Sequence, residues 1–431
     1  MNKYLIQLIF GAAALLLLQN CQSKNETIAK VSDYGISLAQ QSKLSKTDTE
    51  NLAFWGNKLL DTPNQFPYIA KLAASHETIF AKTGAIEALF TAADYWKQVN
   101  EMTAYNSAGY LRAAAKNAIT RHEFKKAYDL LKIAQENGEK LRATKLMLFD
   151  ACLELGNYQE AEKYLNETKD FSDVDYLIRL AKWEDTQGNL NKTIMLMKDI
   201  LAIARQNKNK ALIVWTVTNL GDYYGHHGNI KASYESYLEA LSIDPKNKYA
   251  KKGIAYIAFA HDNNPKEALR IITTIAQDNL QPDDLLFMAD LAAVTGDAIQ
   301  QKGYIKDFTN LLSIKNYGEL YNIPLAQVWL NNGRFSEAIT LLKHEVARRQ
   351  TPEVYAALAN AYHKSGNTKQ AYQIIKTHVQ YKTFEPSLLL AEAQVLKAMG
   401  KEQQRVREIK EELLGAVYEL GPLTAADINA L

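Results

Sequence analysis

A unit of roughly 34 residues recurs along most of this 431-residue chain. A glycine, or a residue that tolerates the same backbone, ends a helix-like stretch, and a small residue often follows five positions later. The pairs are Gly156 with Ala161, Gly188 with Thr193, Gly228 with Ser233, Gly333 with Ala338 and Gly366 with Ala371. Asn263 with Ala268 and His122 with Ala127 are variant copies, while Gly296 and Gly400 lead to Gln301 and Arg405. Successive anchors, from Ala127 to Arg405, are spaced 34, 32, 40, 35, 33, 37, 33 and 34 residues apart. Such a chain need not gather one large core, because each unit packs on its neighbours. That removes the size limit that would otherwise divide 431 residues into separate domains.

The residues of the unit have physical roles. A glycine supplies the positive φ that ends a first helix, and Asn tolerates the same conformation. The small residue five later falls where a second helix crosses closely, so a larger side chain would clash. Leu220 and Tyr224 are four apart on one helical face. Pro245 stops the second helix. The copy from Val214 to Asn247 holds Leu220-Gly221, Tyr224, Gly228, Ser233, Tyr237, Ala240 and Pro245. Pro352 to Thr383 holds Leu358, Ala359, Tyr362, Gly366 and Ala371. These two copies resemble the tetratricopeptide repeat, with Ser233 in the place of Ala and Tyr237 in the place of Phe.

That resemblance implies an all-α, right-handed superhelical solenoid of about ten helix pairs over residues 66–414. Residues 33–65 are expected to form N-terminal capping helices over the first repeat, and 415–431 a C-terminal cap or tail. The 40-residue step between Thr193 and Ser233 predicts an extended loop around Arg205–Lys210. Some chaperone-binding members clamp a peptide carboxylate with Lys and Asn from successive first helices. Asn360 matches one such position, but its companion is Ala356, so no clamp is expected.

Residues 1–20 read as a signal peptide. Lys3 precedes the apolar run Tyr4–Leu18, which is too short to span a bilayer. Leu18-Gln19-Asn20-Cys21 followed by polar residues resembles the bacterial lipoprotein signals of Bacteroidetes. The resemblance implies that Cys21 is acylated, with 21–32 as a tether and the outer membrane as the destination. The competing reading is an ordinary secretory peptide with an incidental cysteine.

The remaining composition points away from catalysis. Fifty basic residues face 48 acidic ones, without the basic surplus that nucleic acid binding requires. Cys152 is the second of two cysteines and sits on an apolar stretch, where a small buried hydrophobe is expected. His226-His227 abuts the turn glycine Gly228, and no spacing of zinc ligands or nucleophile motif is present. No enzyme, cofactor or metal is expected.

Function should therefore lie in the groove that the first helices of such repeats line. Helical spacing places Arg179, Lys182, Trp215, Asp222, Ile254, Ile257 and Phe287 on inward faces. An apolar groove with a basic spot suits a protein or peptide segment. Tight winding of the superhelix would instead bury these side chains against one another. A second functional reading is a nutrient-binding lipoprotein similar to the SusD-like glycan binders. The short interruptions of the repeat leave little room for the insertions that build a sugar site in those proteins.

Overall fold

The computed structural model describes residues 27–41 and 43–431. The signal peptide and Cys21 lie outside the described residues. Two helices, α1 (Val31–Leu38) and α2 (Lys46–Asp61), precede ten antiparallel pairs. These are α3 (Phe66–Thr83) with α4 (Ile86–Met102), α5 (Ala108–Thr120) with α6 (Phe124–Glu136), and α7 (Leu141–Leu155) with α8 (Tyr158–Glu167). They continue with α9 (Val174–Thr186) and α10 (Leu190–Gln206), α11 (Lys210–His226) and α12 (Ile230–Ile243), and α13 (Lys248–Ala260) and α14 (Pro265–Ala276). The last four are α15 (Pro282–Val294) with α16 (Ala298–Ile314), α17 (Asn322–Asn331) with α18 (Phe335–Arg348), α19 (Pro352–Lys364) with α20 (Thr368–Ile374), and α21 (Pro386–Ala398) with α22 (Gln403–Gly415). Short helices α23 (Val417–Leu420) and α24 (Ala425–Ala430) end the chain. No strand occurs among the described residues, and the fold is an all-α solenoid.

The turn residues carry the backbone that the repeat demands. Gly156, Gly188, Gly228, Gly333 and Gly366 have φ between 74° and 88°, and Asn263 adopts 51° in the same role. Ala127, Ala161, Thr193, Ser233, Ala268, Ala338 and Ala371 are fully enclosed at the crossings of paired helices. The Tyr237 ring lies against Gly221 and Gly253, where a Cβ would fall within 2.5 Å and 2.4 Å of it. Gly221 and Gly253 thus let one aromatic ring wedge between the first helices of two consecutive pairs.

Three boundaries differ from the sequence expectations. The excess residues after Thr193 do not form an extended loop. They lengthen α10 and α11 to 17 residues each, leaving a short turn at Asn207-Lys208-Asn209, because Ile200, Leu201 and Ala204 stay buried and carry the helix onward. Residues 28–32 are not a free tether. Asp262 accepts the backbone N–H groups of Ile28 at 3.0 Å and Ala29 at 2.8 Å. Nor does α1 cap the first repeat. It packs on α12 and α14, with Tyr34 and Leu38 buried and the Tyr34 hydroxyl donating to Glu267 at 2.6 Å. Only α2 lies on the first pair, and none of its own residues is buried.

The superhelix also closes on itself. Gln350 N–H donates to the Leu155 carbonyl at 3.2 Å, and Arg348 donates to the His122 carbonyl at 3.0 Å. Asn279 donates to the Thr83 carbonyl at 2.8 Å, Lys315 pairs with Glu87 at 3.1 Å, and Phe384 covers Gly188. Tyr317 is buried with Ile86 and Leu89 of α4. Residues of the first half therefore meet turns of the second half, together with Arg348 of α18, across what would be the mouth of an open groove.

Candidate partner-binding groove

First helices of neighbouring pairs touch along much of the array, α5 with α7, α7 with α9, α11 with α13, α17 with α19 and α19 with α21, and form the inner wall. Along α9, Arg179 extends back to α7, donating to Asp150 at 2.7 Å and to the Leu146 carbonyl at 3.3 Å. Lys182 donates to Glu154 of α7 at 2.9 Å. The expected basic spot is thus neutralised by two carboxylates on the preceding first helix. Both cations act as links between repeats, since each pair spans neighbouring units.

On α11, Trp215 keeps 39% of its surface exposed. Asp222 accepts hydroxyl hydrogen bonds from Tyr237 at 2.5 Å and Tyr249 at 2.6 Å. Burial pushes its carboxyl above the ordinary carboxylate range, while the two hydroxyls pull the other way. Asp222 is engaged with its own chain on both oxygens.

Ile254 and Ile257 do not line the groove. They are 1% and 0% exposed and belong to the central core, because α13 packs on both sides and its face is enclosed by its neighbours. Here the tight-winding alternative holds. Phe287 is half-buried on α15, with ring centres 6.1 Å from Tyr256 and 5.5 Å from Phe259.

The same aromatic group receives the C-terminus. Tyr418 lies edge-on to Tyr256 with centroids 5.5 Å apart, and it approaches Gly225, where a Cβ would fall 2.8 Å from its ring. The Tyr256 hydroxyl donates to the carbonyls of Tyr418 and Glu419 at 3.1 Å and 2.8 Å. Glu419 stands 3.9 Å from His226. Burial, reinforced by Asp185, raises its carboxyl to about 7. Residues 417–420 are therefore a strap across the inner wall, and not a free tail. No repeat periodicity extends to Tyr418, so the sequence carried no signal for this contact.

An open cleft of about 760 Å³ lies on the other side, between the second helices α8 and α10. Its floor is Leu177, Leu180 and Trp183 of α9, with Phe171 and Met195 at its mouth. Phe171 is 61% and Met195 53% exposed. Among the described residues there is no group of three or more His, Cys, Asp or Glu side chains able to hold a metal ion. Burial pushes the Cys152 thiol up to about 12, which suppresses the thiolate.

Residues 216–247 match the family model of the tetratricopeptide repeat. No curated protein matches the chain. Solved structures similar to it include a tetratricopeptide repeat protein from Parabacteroides merdae. That protein is 17% identical over 60% of this chain and 96% of its own, with a TM-score of 0.36. The human IFIT1 dimer with PPP-AAAA is 14% identical over 72% of this chain and 71% of its own, at a TM-score of 0.46. YrrB, described as having an unusual peptide-binding site, is 16% identical over 46% of this chain and 95% of its own, at 0.27.

Proposed function

We propose that this chain is a non-catalytic scaffold that binds a protein or peptide partner and is held on a bacterial envelope membrane through acylated Cys21. The observation that carries the scaffold reading is the array of ten helix pairs, whose fifth pair matches the tetratricopeptide repeat. Repeat arrays of this kind present long continuous surfaces suited to macromolecular partners. The cysteine and its flanking residues carry the anchor reading, since multiple acyl chains hold a protein on a bilayer stably.

Among the inner-wall candidates, Trp215 is the contact residue proposed here, because it combines exposure with the aromatic area favoured at binding hot spots. Wild type and Trp215→Ala should be used as baits on detergent-solubilised envelopes, with retained proteins identified by mass spectrometry. Loss of one partner from the Trp215→Ala bait, at unchanged melting temperature, supports the reading. An identical partner profile for both removes Trp215 from the contact surface. Membrane fractionation of Cys21→Ser tests the anchor separately: unchanged fractionation, together with no lipid mass on wild type, overturns it.

A further inference from the structure

The cleft between α8 and α10 has a counterpart two repeats later that is already filled. Both grooves run between the second helices of consecutive pairs. In the filled one, α1 lies over α12 and α14, held through Tyr234 and Glu267. The repeat register matches these positions one by one. Tyr234 follows Ser233 as Glu162 follows Ala161, and Glu267 precedes Ala268 as Lys192 precedes Thr193. On the intervening first helices, Ala255 and Ala258 correspond to Leu180 and Trp183. The alanines are buried in the filled groove, while Leu180 and Trp183 stay half-buried in the open one.

Charge separates the two grooves further. Lys192 is paired with Glu184 at 2.6 Å, and Lys169 stands 5.3 Å over the Phe171 ring. Exposed Glu162 and Asp199 line the cleft without an ion pair among those of the described residues. Among the described residues, two unpaired carboxylates, Glu162 and Asp199, face one unpaired cation, Lys169, so the rim is acidic on balance above an apolar floor. An amphipathic helix offers the matching pattern, with an apolar stripe on one face and cations beside it.

We infer that the α8–α10 cleft docks a short amphipathic helix of a partner protein, with its apolar face on Leu180, Trp183 and Met195 and its Lys or Arg side chains toward Glu162 and Asp199. The inference rests on the scaffold reading and gives it a second surface, on the opposite side from Trp215. Only the second helices and α9 take part, so closure of the superhelix does not obstruct it.

The test uses the full chain and a fluorescein-labelled synthetic Leu/Lys amphipathic helix, with the same helix carrying Glu in place of each Lys as control. Anisotropy at physiological salt should show the Leu/Lys helix binding at least tenfold more tightly than the Leu/Glu helix. Met195→Glu and the double variant Glu162→Lys, Asp199→Lys should each weaken it at least tenfold. Both alter exposed side chains, and circular dichroism melting confirms that they fold. Ile299→Glu, at a site 86% exposed on another helix, should leave binding unchanged. Equal binding of the two helices overturns the proposal, as does binding insensitive to all cleft substitutions in folded protein. Either result would leave the scaffold reading to its own partner capture with Trp215→Ala.

Discussion

The backbone N–H of Gln350 donates to the carbonyl of Leu155 at 3.2 Å, joining the third helix pair to the junction between the eighth and ninth. Gly156 lies beside this bond. Its φ is 80°, and a Cβ placed there would fall 2.6 Å from the Gln350 carbonyl oxygen. Gly333 has φ 74° with open space around it. Gly156→Ala and Gly333→Ala should therefore differ. Both incur the left-handed strain of about 1–2 kcal/mol, but only the first forces the seam apart. Small-angle scattering should show a larger radius of gyration for Gly156→Ala alone. Equal radii for both variants would show that the seam accommodates the methyl group.

Ala371 is fully buried where α19 and α20 cross. Ala371→Leu should overpack this crossing and cost about 1–3 kcal/mol. Hydrogen exchange should quicken in α19, α20 and their neighbours, while the first pairs keep their protection, because solenoid units couple chiefly to adjacent ones. Quickened exchange throughout the chain would mean that ring closure makes unfolding globally cooperative.

Two tryptophans separate packing from surface. Trp96 is 6% exposed, and its indole N–H donates to Glu77 at 2.9 Å. Trp96→Ala should cost about 3–5 kcal/mol, as large aromatic truncations in cores do. Trp215, with 39% of its surface exposed, should cost less than about 2 kcal/mol on truncation. Urea unfolding of the two variants measures both values. A loss at Trp215 as large as at Trp96 would make it a packing residue.

Much of this was legible from the residues alone. The positive-φ turns and the small residues after them follow from local backbone sterics, so Gly156, Asn263 and Ala371 could be assigned from spacing. Partnership was not legible in the same way. Helical spacing put Ile254 and Ile257 on the groove face, but it could not tell a groove wall from a helix packed on both sides. It also exposed Arg179 and Lys182 as cations without showing Asp150 and Glu154 opposite them. The docking of Tyr418 and α1 depends on contacts between distant parts of the chain, which no local period encodes.

The C-terminal strap should respond to pH. Docking raises the Glu419 carboxyl from its ordinary 4.5 to about 7, first through burial and then through Asp185. His226 also faces it, and Glu385 lies close enough to interact with all three. The docked state therefore holds the proton more tightly than the free strap. Docking is strongest below about pH 4.5, weakens as pH rises toward about 7, and stays weakened above that. Hydrogen-exchange protection over residues 417–424, taken relative to the intrinsic exchange rate at each pH, should fall through this window in wild type. Glu419→Gln should flatten the dependence, and an equally steep profile in that variant would assign it to another group.

The seat of α1 bears on the order in which the molecule can assemble. The groups that receive residues 28–38, namely Tyr234, Asp262 and Glu267, lie 204 to 234 residues further along the chain and are complete only when the sixth helix pair has formed. Neighbouring pairs can form early, because their contacts are local in sequence. Until α14 forms, Tyr34 and Leu38 lack a complete burial site and remain as exposed apolar surface on the folding chain. The α1 segment is thus among the last to find its place, after the pairs that receive it have formed.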